Sequence, residues 1–328
     1  MSLASHLVDI TGDIESEPIR NGFGHGLVEA GQLDDQVVAL CADLTDSTRI
    51  SYFKDEFPER FIQVGISEQN MANMAAGLAN IGKIPFSSSY AAFHPGRSFE
   101  QIRTAICMGE LPVKIVGSHA GVSVGPDGGT HQMLEDVALM RSLPHMVVVC
   151  PGDAVEAKKA TLAIAKDKDH PGYIRLAREA TPVFTTDDSP FDLHQAQVFR
   201  KGSDITLVGT GTMTYHLLVA AQHLADNLHI EAEVIHVPVV KPLDAATIIA
   251  SVTKTGIVVT AEEGQAAAGF GSAVLEALSE DHPVPLKRIG VRDKFGESGT
   301  PEELMQHFGL DSDSVYDKIK QFYNQQKG

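Results

Sequence analysis

The stretch Gly65-Ile66-Ser67-Glu68-Gln69-Asn70-Met71-Ala72-Asn73-Met74-Ala75-Ala76-Gly77-Leu78 decides how the first half of this chain folds. A short β-like run at residues 60–64 enters it, and Ser67 stands where a helix N-cap is expected. A helix rich in Met and Ala is predicted over residues 69–81, which puts Glu68 in the first turn of an otherwise apolar helix. A carboxylate there would complement the helix dipole, but the motifs that follow indicate a chemical role.

Strands and helices alternate on both sides of this stretch. Short apolar runs predict strands at residues 37–41, 60–64, 84–89, 113–117, 146–150 and 173–176. Helical periodicity predicts helices at residues 19–30, 98–108, 133–142 and 154–166. Because the strands are apolar on both faces, they indicate a parallel sheet covered by helices on both sides.

A second α/β unit is predicted after residue 195. Residues 181–195 contain two prolines, paired aspartates and several Ser and Thr, which is typical of a linker. Strands are then predicted at 205–208, 233–236, 257–260 and 286–289, with helices at 215–225, 245–252, 267–278 and from 314. The predicted organisation is a loose lead-in (1–15), a three-layer α/β/α domain with a mostly parallel sheet (16–180), the linker, and a smaller three-layer α/β/α domain (196–328).

Composition excludes several classes of function. The 328 residues carry 43 acidic and 26 basic side chains, a formal net charge of −17, whereas proteins that bind nucleic acid or anionic lipid present basic surfaces. No apolar run reaches the ~18–20 residues of a membrane span, and no secretory signal is visible. The cysteines Cys41, Cys107 and Cys150 have apolar surroundings and are expected to be buried thiols. These features predict a protein of the reducing cytosol.

Two familiar ligand motifs are incomplete. Gly77-x-x-x-x-Gly82-Lys83 resembles a phosphate-binding P-loop, but Ile84 stands where Ser or Thr must reach a metal ion. Gly82 is better explained as the C-cap of the helix. Gly209-Thr210-Gly211 follows a strand, as a dinucleotide fingerprint does, but its third glycine is missing. Neither motif predicts a nucleotide site.

The loop at residues 117–132 contains two histidines and an aspartate among five glycines. It follows a predicted strand, and open α/β sheets bind ligands beyond the carboxyl ends of their strands. A single histidine in such a loop is usually surface decoration. His119, Asp127 and His131 on the sheet that also carries Glu68 indicate a ligand site.

Three motifs of the first half resemble the pyrimidine-binding domain of transketolase. They are Ile66-Ser67-Glu68-Gln69-Asn70-Met71, Ser89-Tyr90-Ala91-Ala92-Phe93, and Gly117-Ser118-His119 with Asp127-Gly128-Gly129-Thr130-His131-Gln132. The stretch 201–308, with Gly209-Thr210-Gly211-Thr212 and residues 295–304, is similar to the transketolase C-terminal domain. The resemblance spans nearly the whole chain, in the same order.

The resemblance implies a site for thiamine diphosphate. A carboxyl group beside the aminopyrimidine ring favours the imino tautomer, whose nitrogen removes the thiazolium proton, and the resemblance gives this role to Glu68. In an apolar pocket that carboxyl would stay protonated near neutral pH, as the role requires. Tyr90 and Phe93 would pack against the pyrimidine ring, and Asp43 corresponds to an aspartate near the cofactor.

The same resemblance implies a sugar-phosphate site, for which guanidinium groups are well suited. Four residues match the phosphate grip of the family: Arg20, Ser47, His119 and Arg178. Asp127 matches an aspartate that reads substrate hydroxyls, and His131 matches a histidine beside the reacting carbon, where it would transfer protons. The run His94-Pro95-Gly96 departs from many members and is expected to change the rim of the pocket.

Two parts of such a site are not found in this sequence. Thiamine enzymes bind the diphosphate through Mg²⁺ or Ca²⁺ with a Gly-Asp-Gly motif, but Gly12-Asp13 and Gly152-Asp153 are not followed by glycine. The diphosphate domain that precedes this region in full-length transketolase is also absent. The resemblance therefore predicts the C-terminal subunit of a split transketolase. An N-terminal subunit would hold diphosphate and metal, and this chain would form a homodimer within an α2β2 assembly.

Two alternatives remain open beside ketol transfer between a ketose phosphate and an aldose phosphate. The β subunit of a 2-oxo-acid dehydrogenase shares both domains and the glutamate, but it has no need of a phosphate grip and expects a lipoyl-domain partner. A non-catalytic subunit would only scaffold or regulate a partner, and its pockets would be degenerate. The pocket motifs of this sequence are intact, which favours the split transketolase.

Overall fold

Two main sheets form in the computed structural model of the chain, which describes residues 3–327. The elements up to residue 182 are β1 (Ser16–Pro18), α1 (Ile19–Leu33), β2 (Val37–Cys41), α2 (Ser51–Glu56), β3 (Phe61–Gln63), α3 (Glu68–Asn80), β4 (Ile84–Tyr90), α4 (Phe99–Gln101), β5 (Lys114–Ser118), α5 (Asp136–Arg141), β6 (Val147–Val149), α6 (Ala154–Lys166), β7 (Gly172–Arg175) and β8 (Ala180–Pro182). The later elements are β9 (Gln197–Arg200), β10 (Ile205–Gly209), α7 (Met213–Leu228), β11 (Ala232–His236), β12 (Val239–Lys241), α8 (Ala245–Thr255), β13 (Val258–Gln265), α9 (Phe270–Asp281), β14 (Leu286–Val291), α10 (Pro301–Phe308) and α11 (Ser312–Lys327). A π-helical segment, Ile102–Cys107, continues α4, and 3₁₀ segments lie at Pro58–Arg60 and Val122–Asp127.

The first sheet has the strand order β12-β6-β7-β5-β4-β2-β3. Strands β2 to β7 are parallel, and β12 pairs with β6 in the antiparallel direction. The second sheet has the order β14-β13-β10-β11-β9 and is parallel except for β9. The predicted fold class, two α/β domains with a mostly parallel sheet and a smaller C-terminal domain, is confirmed.

Successive strand residues point to opposite faces of the first sheet. Because both sets are apolar, helices cover both faces. Cys41 and Phe86 pack with α1 and α6 on one face, whereas Leu40 and Ile115 pack with α3 on the other. This second core continues into β10, α8 and α9 of the C-terminal half, where Val208 belongs to it. A third core lies between the second sheet, α7 and α11. The two halves of the chain therefore share a continuous core.

Residues 3–14 pack against the second half, unlike the loose lead-in expected from their sequence. The amide of Ala4 donates to the carbonyl of Phe199 at 2.8 Å, and the amide of Val8 donates to the carbonyl of Phe184 at 3.0 Å. Ile10 is buried in the third core. The predicted linker is also partly regular, because β8 pairs with β1. These segments are too short to show a period, so their contacts were invisible in the sequence.

A buried polar cluster joins the two halves; we call Asp136, Tyr173, Arg175, Glu262 and Glu263 the interdomain network. Arg175 donates from Nε to Asp136 Oδ2 at 2.9 Å and from Nη2 to the carbonyl of Glu263 at 2.6 Å. The Tyr173 hydroxyl donates to the same Asp136 oxygen at 2.6 Å. Burial alone would lower the pKa of Arg175, but Asp136 raises it. The guanidinium therefore stays charged within the core.

Glu262 is a buried carboxyl of the interdomain network, and no cation among the described residues forms an ion pair with it. Its two oxygens accept the amide protons of Phe270 and Gly271, both at 2.8 Å, at the start of α9. These bonds favour the ionised form, but burial outweighs them and raises the pKa of Glu262 to about 7. The carboxyl therefore titrates near neutral pH although it is buried.

Cys41, Cys107 and Cys150 are buried and form no disulfide, as expected, and burial raises the pKa of Cys150 to about 12. A thiol with such a pKa is unreactive. Within residues 3–327, the helices lack the length and apolar character that a membrane span requires.

Candidate functional site

The carboxyl ends of β2, β4 and β5 lie side by side because these strands are parallel. The helix and loops that leave this edge carry most of the residues predicted from sequence. We call this region, which includes Glu68, Tyr90, His119 and Arg178, the ligand edge. Its position agrees with the rule that open α/β sheets bind ligands beyond the carboxyl ends of their strands.

Glu68 is buried at the start of α3, where 2% of its surface is exposed. Ser67 is the N-cap residue, but its hydroxyl donates to the Val64 carbonyl at 2.8 Å and accepts no amide proton from the helix. The expected apolar pocket around Glu68 is wrong, because Arg97 donates from Nη1 to Glu68 Oε2 at 2.6 Å. Another group can therefore reach this carboxylate oxygen only when the Arg97–Glu68 ion pair opens.

Four aromatic rings pack together at the ligand edge. Tyr90, the last residue of β4, stacks on the His119 imidazole with 3.8 Å between ring centroids. Phe93 lies 6.1 Å from Tyr90 and 5.3 Å from His131, in an edge-to-face arrangement with the histidine. The Arg97 guanidinium lies 4.9 Å from the centroid of Phe93. The aromatic cluster is therefore continuous with the ion pair of the buried glutamate.

His119 is a neutral hydrogen-bond acceptor. Its Nε2 lies 3.3 Å from Arg20 Nη1, and because a guanidinium only donates, the imidazole accepts there. The ring proton is then on Nδ1, which lies 2.9 Å from the Ser118 hydroxyl. Burial, and after it the charge of Arg20, lowers the pKa of His119 to about 3. The ring carries no charge at physiological pH.

Arginines make the ligand edge electropositive. Arg20, in the first turn of α1, donates from Nη1 to the Ser47 carbonyl at 2.8 Å. Its buried Nε has no hydrogen-bond partner among residues 3–327. Burial lowers the pKa of Arg20, and the charges of Arg49 and Arg178 lower it further. Three neighbouring guanidinium groups and an unused donor suit an anionic ligand.

Asp127 and Arg178 are in contact across the ligand edge. Arg178 Nη1 lies 3.7 Å from Asp127 Oδ1 and donates to the Val124 carbonyl at 2.8 Å. Its Nε lies 3.3 Å from the Glu179 carboxylate. Asp127 and Arg178 each expose 29% of their side chains, so a ligand can replace their mutual contact.

Asp43 stands apart from the other predicted residues. It follows β2 at the same edge, and its amide donates to Gln63 Oε1 at 2.9 Å. Its side chain is exposed and forms no hydrogen bond or ion pair with any residue that the structure describes. His131, in contrast, lies within the aromatic cluster, with its Nδ1 2.9 Å from the Thr130 hydroxyl.

Side-chain hydrogen bonds connect the loop at residues 117–132 to the second half of the chain. Glu263, on β13, accepts the amide proton of Ser123 through Oε1 at 2.7 Å. Gln132 Nε2 donates to the carbonyl of Glu297 at 2.8 Å. Sequence reasoning missed Glu263 because a glutamate within a strand does not show that it reaches another domain. It also missed Arg49, although that residue follows Ser47 closely in the same loop.

His94 itself does not lie at the rim of the ligand edge. Its imidazole is fully buried between the hydroxyls of Ser87, 2.8 Å from Nε2, and Ser98, 2.7 Å from Nδ1. Burial lowers the pKa of His94 to about 3. The neutral ring therefore supports the turn that presents Phe93 and Arg97.

Comparisons with known proteins agree with the arrangement of the two halves. Two family models match: the pyrimidine-binding domain of transketolase at residues 16–183 and the transketolase C-terminal domain at residues 194–315. The 6-deoxy-6-sulfo-D-fructose transketolase subunit SqwH of Clostridium sp. (strain MSTE9) is 41% identical, over 92% of this chain and 93% of its own length. The putative transketolase C-terminal section of Methanocaldococcus jannaschii is 40% identical, over 92% and 95% respectively. A solved structure described as "Split gene transketolase, inactive beta4 tetramer" is 42% identical with a TM-score of 0.87, over 94% of this chain and 98% of that chain.

Proposed function

Because the chain belongs to the transketolase family, whose members depend on thiamine diphosphate, we propose that it is the C-terminal subunit of a split transketolase. In this proposal it takes part in the transfer of a two-carbon ketol unit between sugar phosphates. The observation that carries the proposal is a juxtaposition at the ligand edge. A buried carboxyl, Glu68, an aromatic pair, Tyr90 and Phe93, and the cations Arg20 and Arg178 meet there.

The ligand edge fits the aminopyrimidine part of the cofactor. A flat ring with nitrogen atoms needs aromatic faces and a carboxyl, and the Tyr90 and Phe93 ring planes are 16° apart near Glu68. For the diphosphate part, the sequence lacks the Gly-Asp-Gly motif, and among the described residues no group of three or more His, Cys, Asp or Glu could hold a metal ion. We therefore assign the pyrimidine ring to this chain, and the diphosphate with its Mg²⁺ or Ca²⁺ to a partner subunit.

The residues at the pyrimidine end have separate tasks in this proposal. Thiamine diphosphate, when bound, supplies the nucleophilic carbon that the reaction requires. Glu68 would form a hydrogen bond with the pyrimidine ring once the Arg97 side chain has moved away. Tyr90 and Phe93 would hold the ring and keep water from it. His131, packed against Phe93, would transfer protons at the reacting carbon, and Asp43 would lie near the cofactor.

At the substrate end, the proposed roles are binding of an anion and, beside it, hydrogen bonding to the substrate hydroxyls. Arg20 and Arg178 would bind the terminal anion of the sugar, and Ser47 would help through its main chain and hydroxyl. His119 is neutral, so it would orient Arg20 through their 3.3 Å contact and would add no charge of its own. Asp127, 3.7 Å from Arg178, would accept hydrogen bonds from the substrate hydroxyls.

The nature of the sugar is a finer question within this proposal. One relative is named for 6-deoxy-6-sulfo-D-fructose, and another, from Phocaeicola vulgatus, is named as one subunit of an apulose-4-phosphate transketolase. Sulfonate and phosphate groups are both tetrahedral anions, and the cluster of Arg20, Arg49 and Arg178 suits either. A screen of phosphorylated and sulfonated ketoses with the assembled enzyme would identify the donor.

The proposed assembly is a homodimer of this chain within an α2β2 complex, with an N-terminal subunit as partner. Ile66 and Ile81, on either side of α3, are each 74% exposed, and apolar side chains so exposed are typical of protein interfaces. A relative described as an inactive β4 tetramer supports the idea that such a chain associates with itself and is inactive alone.

The proposal is tested by assaying the purified chain with thiamine diphosphate and Mg²⁺, alone and with its N-terminal partner. We expect ketol transfer only in the mixture. Robust transfer by the chain alone would reject the split-subunit proposal. Turnover of pyruvate or branched-chain oxo acids by the complex would identify the dehydrogenase alternative, and an inactive complex that still assembles would identify a scaffold.

The Glu68→Gln variant of the assembled complex tests the proposed role of Glu68 most directly. We expect it to fold normally and to lose activity by orders of magnitude, because the amide cannot exchange a proton with the cofactor ring. Asn70→Asp, an exposed change on the same helix, is the matched control and should keep full activity. Near-normal turnover by Glu68→Gln would remove this residue from the mechanism.

A further inference from the structure

A cavity of about 400 Å³ lies along the outer strand of the second sheet, between β14 and the helices α10 and α11. Cationic side chains dominate its lining: Lys287, Arg288, Arg292, Lys294 and Lys318. None of the residues that line it is acidic. This is unexpected in a chain with 43 acidic and 26 basic residues, because carboxylates outnumber cations in the chain as a whole.

The cations of this cavity use neutral groups as their partners. Arg288 donates from Nη1 to the Ala266 carbonyl and to the Ser272 hydroxyl, both at 2.8 Å. Arg292 donates from Nη2 to the main-chain carbonyl of Arg288 at 3.0 Å. Among the Asp and Glu side chains that the structure describes, none forms an ion pair with any of the five cations. Their positive charge is therefore left without a counter-charge in direct contact.

The same cations lie close enough to repel one another. Burial lowers the pKa of Lys287, and the charge of Arg292 lowers it further. Burial also lowers the pKa of Lys318, and Arg292 and Lys287 act in the same direction against the opposing charge of Asp311. A bound anion would relieve this repulsion, and arginine guanidinium groups suit phosphate oxygens in particular.

We propose that this cavity binds a small polyanion that carries phosphate groups, held by Lys287, Arg292, Lys294 and Lys318. It shares no lining residue with the ligand edge, which is built on the other sheet, so the proposal does not depend on the proposed function. The competing explanation is that charged residues on an outer strand only prevent its pairing with other chains. That explanation predicts no saturable ligand.

The chain contains no tryptophan, and this makes a direct test possible. Gln321 lines the cavity from α11 at an exposed position, so Gln321→Trp places a single fluorophore at its mouth. The full-length variant is titrated with inorganic pyrophosphate and, separately, with ADP. We expect a saturable change in fluorescence with both probes and weaker binding at higher salt. Tighter binding of ADP would show that the cavity also accepts the organic part of a phosphate ester, and tighter binding of pyrophosphate would show that it recognises phosphate alone.

Charge-removing variants separate this cavity from the rest of the surface. Adding Lys287→Gln and Arg292→Gln to the reporter should weaken pyrophosphate binding at least tenfold, with unchanged circular dichroism. Lys54→Gln with Lys166→Gln, which removes two exposed cations elsewhere, should change the affinity by less than about twofold, and so should Arg178→Gln at the ligand edge. The proposal is overturned if neither probe gives a saturable signal, or if the double variant at the cavity binds as tightly as its parent.

Discussion

The ligand edge and the interdomain network contain the same kinds of groups in different surroundings. In the network, the Arg175 and Asp136 side chains expose 10% and 1% of their surface. At the ligand edge, Arg97 exposes 47% of its side chain while its partner Glu68 exposes 2%. A sealed ion pair cannot exchange its partner, whereas a pair open on one side can. The comparison teaches that access, and not the identity of the charged groups, separates a structural cluster from a candidate site.

Asp136→Ala should produce the largest loss of stability among these variants. A small loss would contradict the structural role that we give to the interdomain network. The change leaves the buried Arg175 guanidinium without its partner, and such a loss typically costs about 3–5 kcal/mol. Urea denaturation of the full chain measures it. Glu29→Ala removes a partly exposed partner of Lys158 and is the control, with an expected cost below about 1 kcal/mol. Equal effects of the two variants would contradict the view that the network is structural.

The pH dependence that arises from Glu262 should be the next largest effect. The folded chain keeps this proton up to about pH 7, whereas the unfolded chain releases it near the ordinary value of 4.5. The folded state therefore binds more protons between these values, and its stability falls as the pH rises through this window, by at most about 3 kcal/mol.

Comparison with Glu262→Gln isolates this effect from those of other groups. The buried His94 and His119, with pKa values of about 3, give the opposite slope below the ordinary histidine value, because the unfolded chain binds more protons there. Urea denaturation of both proteins at about pH 5 and about pH 8 gives the difference in their free energies of unfolding. That difference should move in favour of the variant at the higher pH. A constant difference would show that Glu262 does not titrate in this window.

Glu263→Ala tests whether the interdomain network reaches the ligand edge. The change leaves the buried amide of Ser123 without an acceptor, which should cost about 1–3 kcal/mol of stability. Since Ser123 belongs to the loop that carries Asp127 and His131, the KM for the sugar substrate of the assembled enzyme should rise as well. Glu263→Gln keeps an acceptor and should restore both properties in large part. A loss of stability with an unchanged KM would confine Glu263 to a structural role.

Arg97→Gln should have the smallest effect, and it tests whether the half-exposed Arg97–Glu68 ion pair can be replaced by a ligand. The half-exposed ion pair must open before Glu68 can meet a cofactor ring, so its removal should tighten thiamine diphosphate binding to the assembled enzyme severalfold, within about 1 kcal/mol. Isothermal titration calorimetry measures the affinity. Arg103→Gln, at an exposed position in the next segment, should leave it unchanged. Weaker binding by Arg97→Gln would mean that Arg97 itself contacts the cofactor.

Local pattern predicted most of the first sheet. The strand at 37–41 and the helix at 154–166 were predicted at their observed bounds, because apolar runs and helical periodicity are properties of short segments. The helix at 133–142 was predicted too long, since α5 spans only Asp136–Arg141. The helices α2 and α10 were not predicted, because neither shows a long enough apolar period.

Contacts between side chains that are far apart in sequence could not be predicted from local sequence patterns. Arg97 pairs with Glu68 across 29 residues, and Glu263 reaches Ser123 across 140 residues. Nothing in the neighbouring sequence of an arginine or a glutamate identifies such a partner. The roles given to Glu68, Tyr90 and the other site residues came from the resemblance, and they remain predictions until the variants are assayed.

The strand β12 makes the order of synthesis important for this fold. It comes from the second half of the chain but completes the first sheet by pairing with β6. Until residues 239–241 leave the ribosome, β6 offers unpaired N–H and C=O groups to any other nascent chain nearby. A translation product that ends at the predicted linker lacks β12, so its β6 edge stays unpaired. We therefore expect truncated products to aggregate and the intact chain to remain in solution.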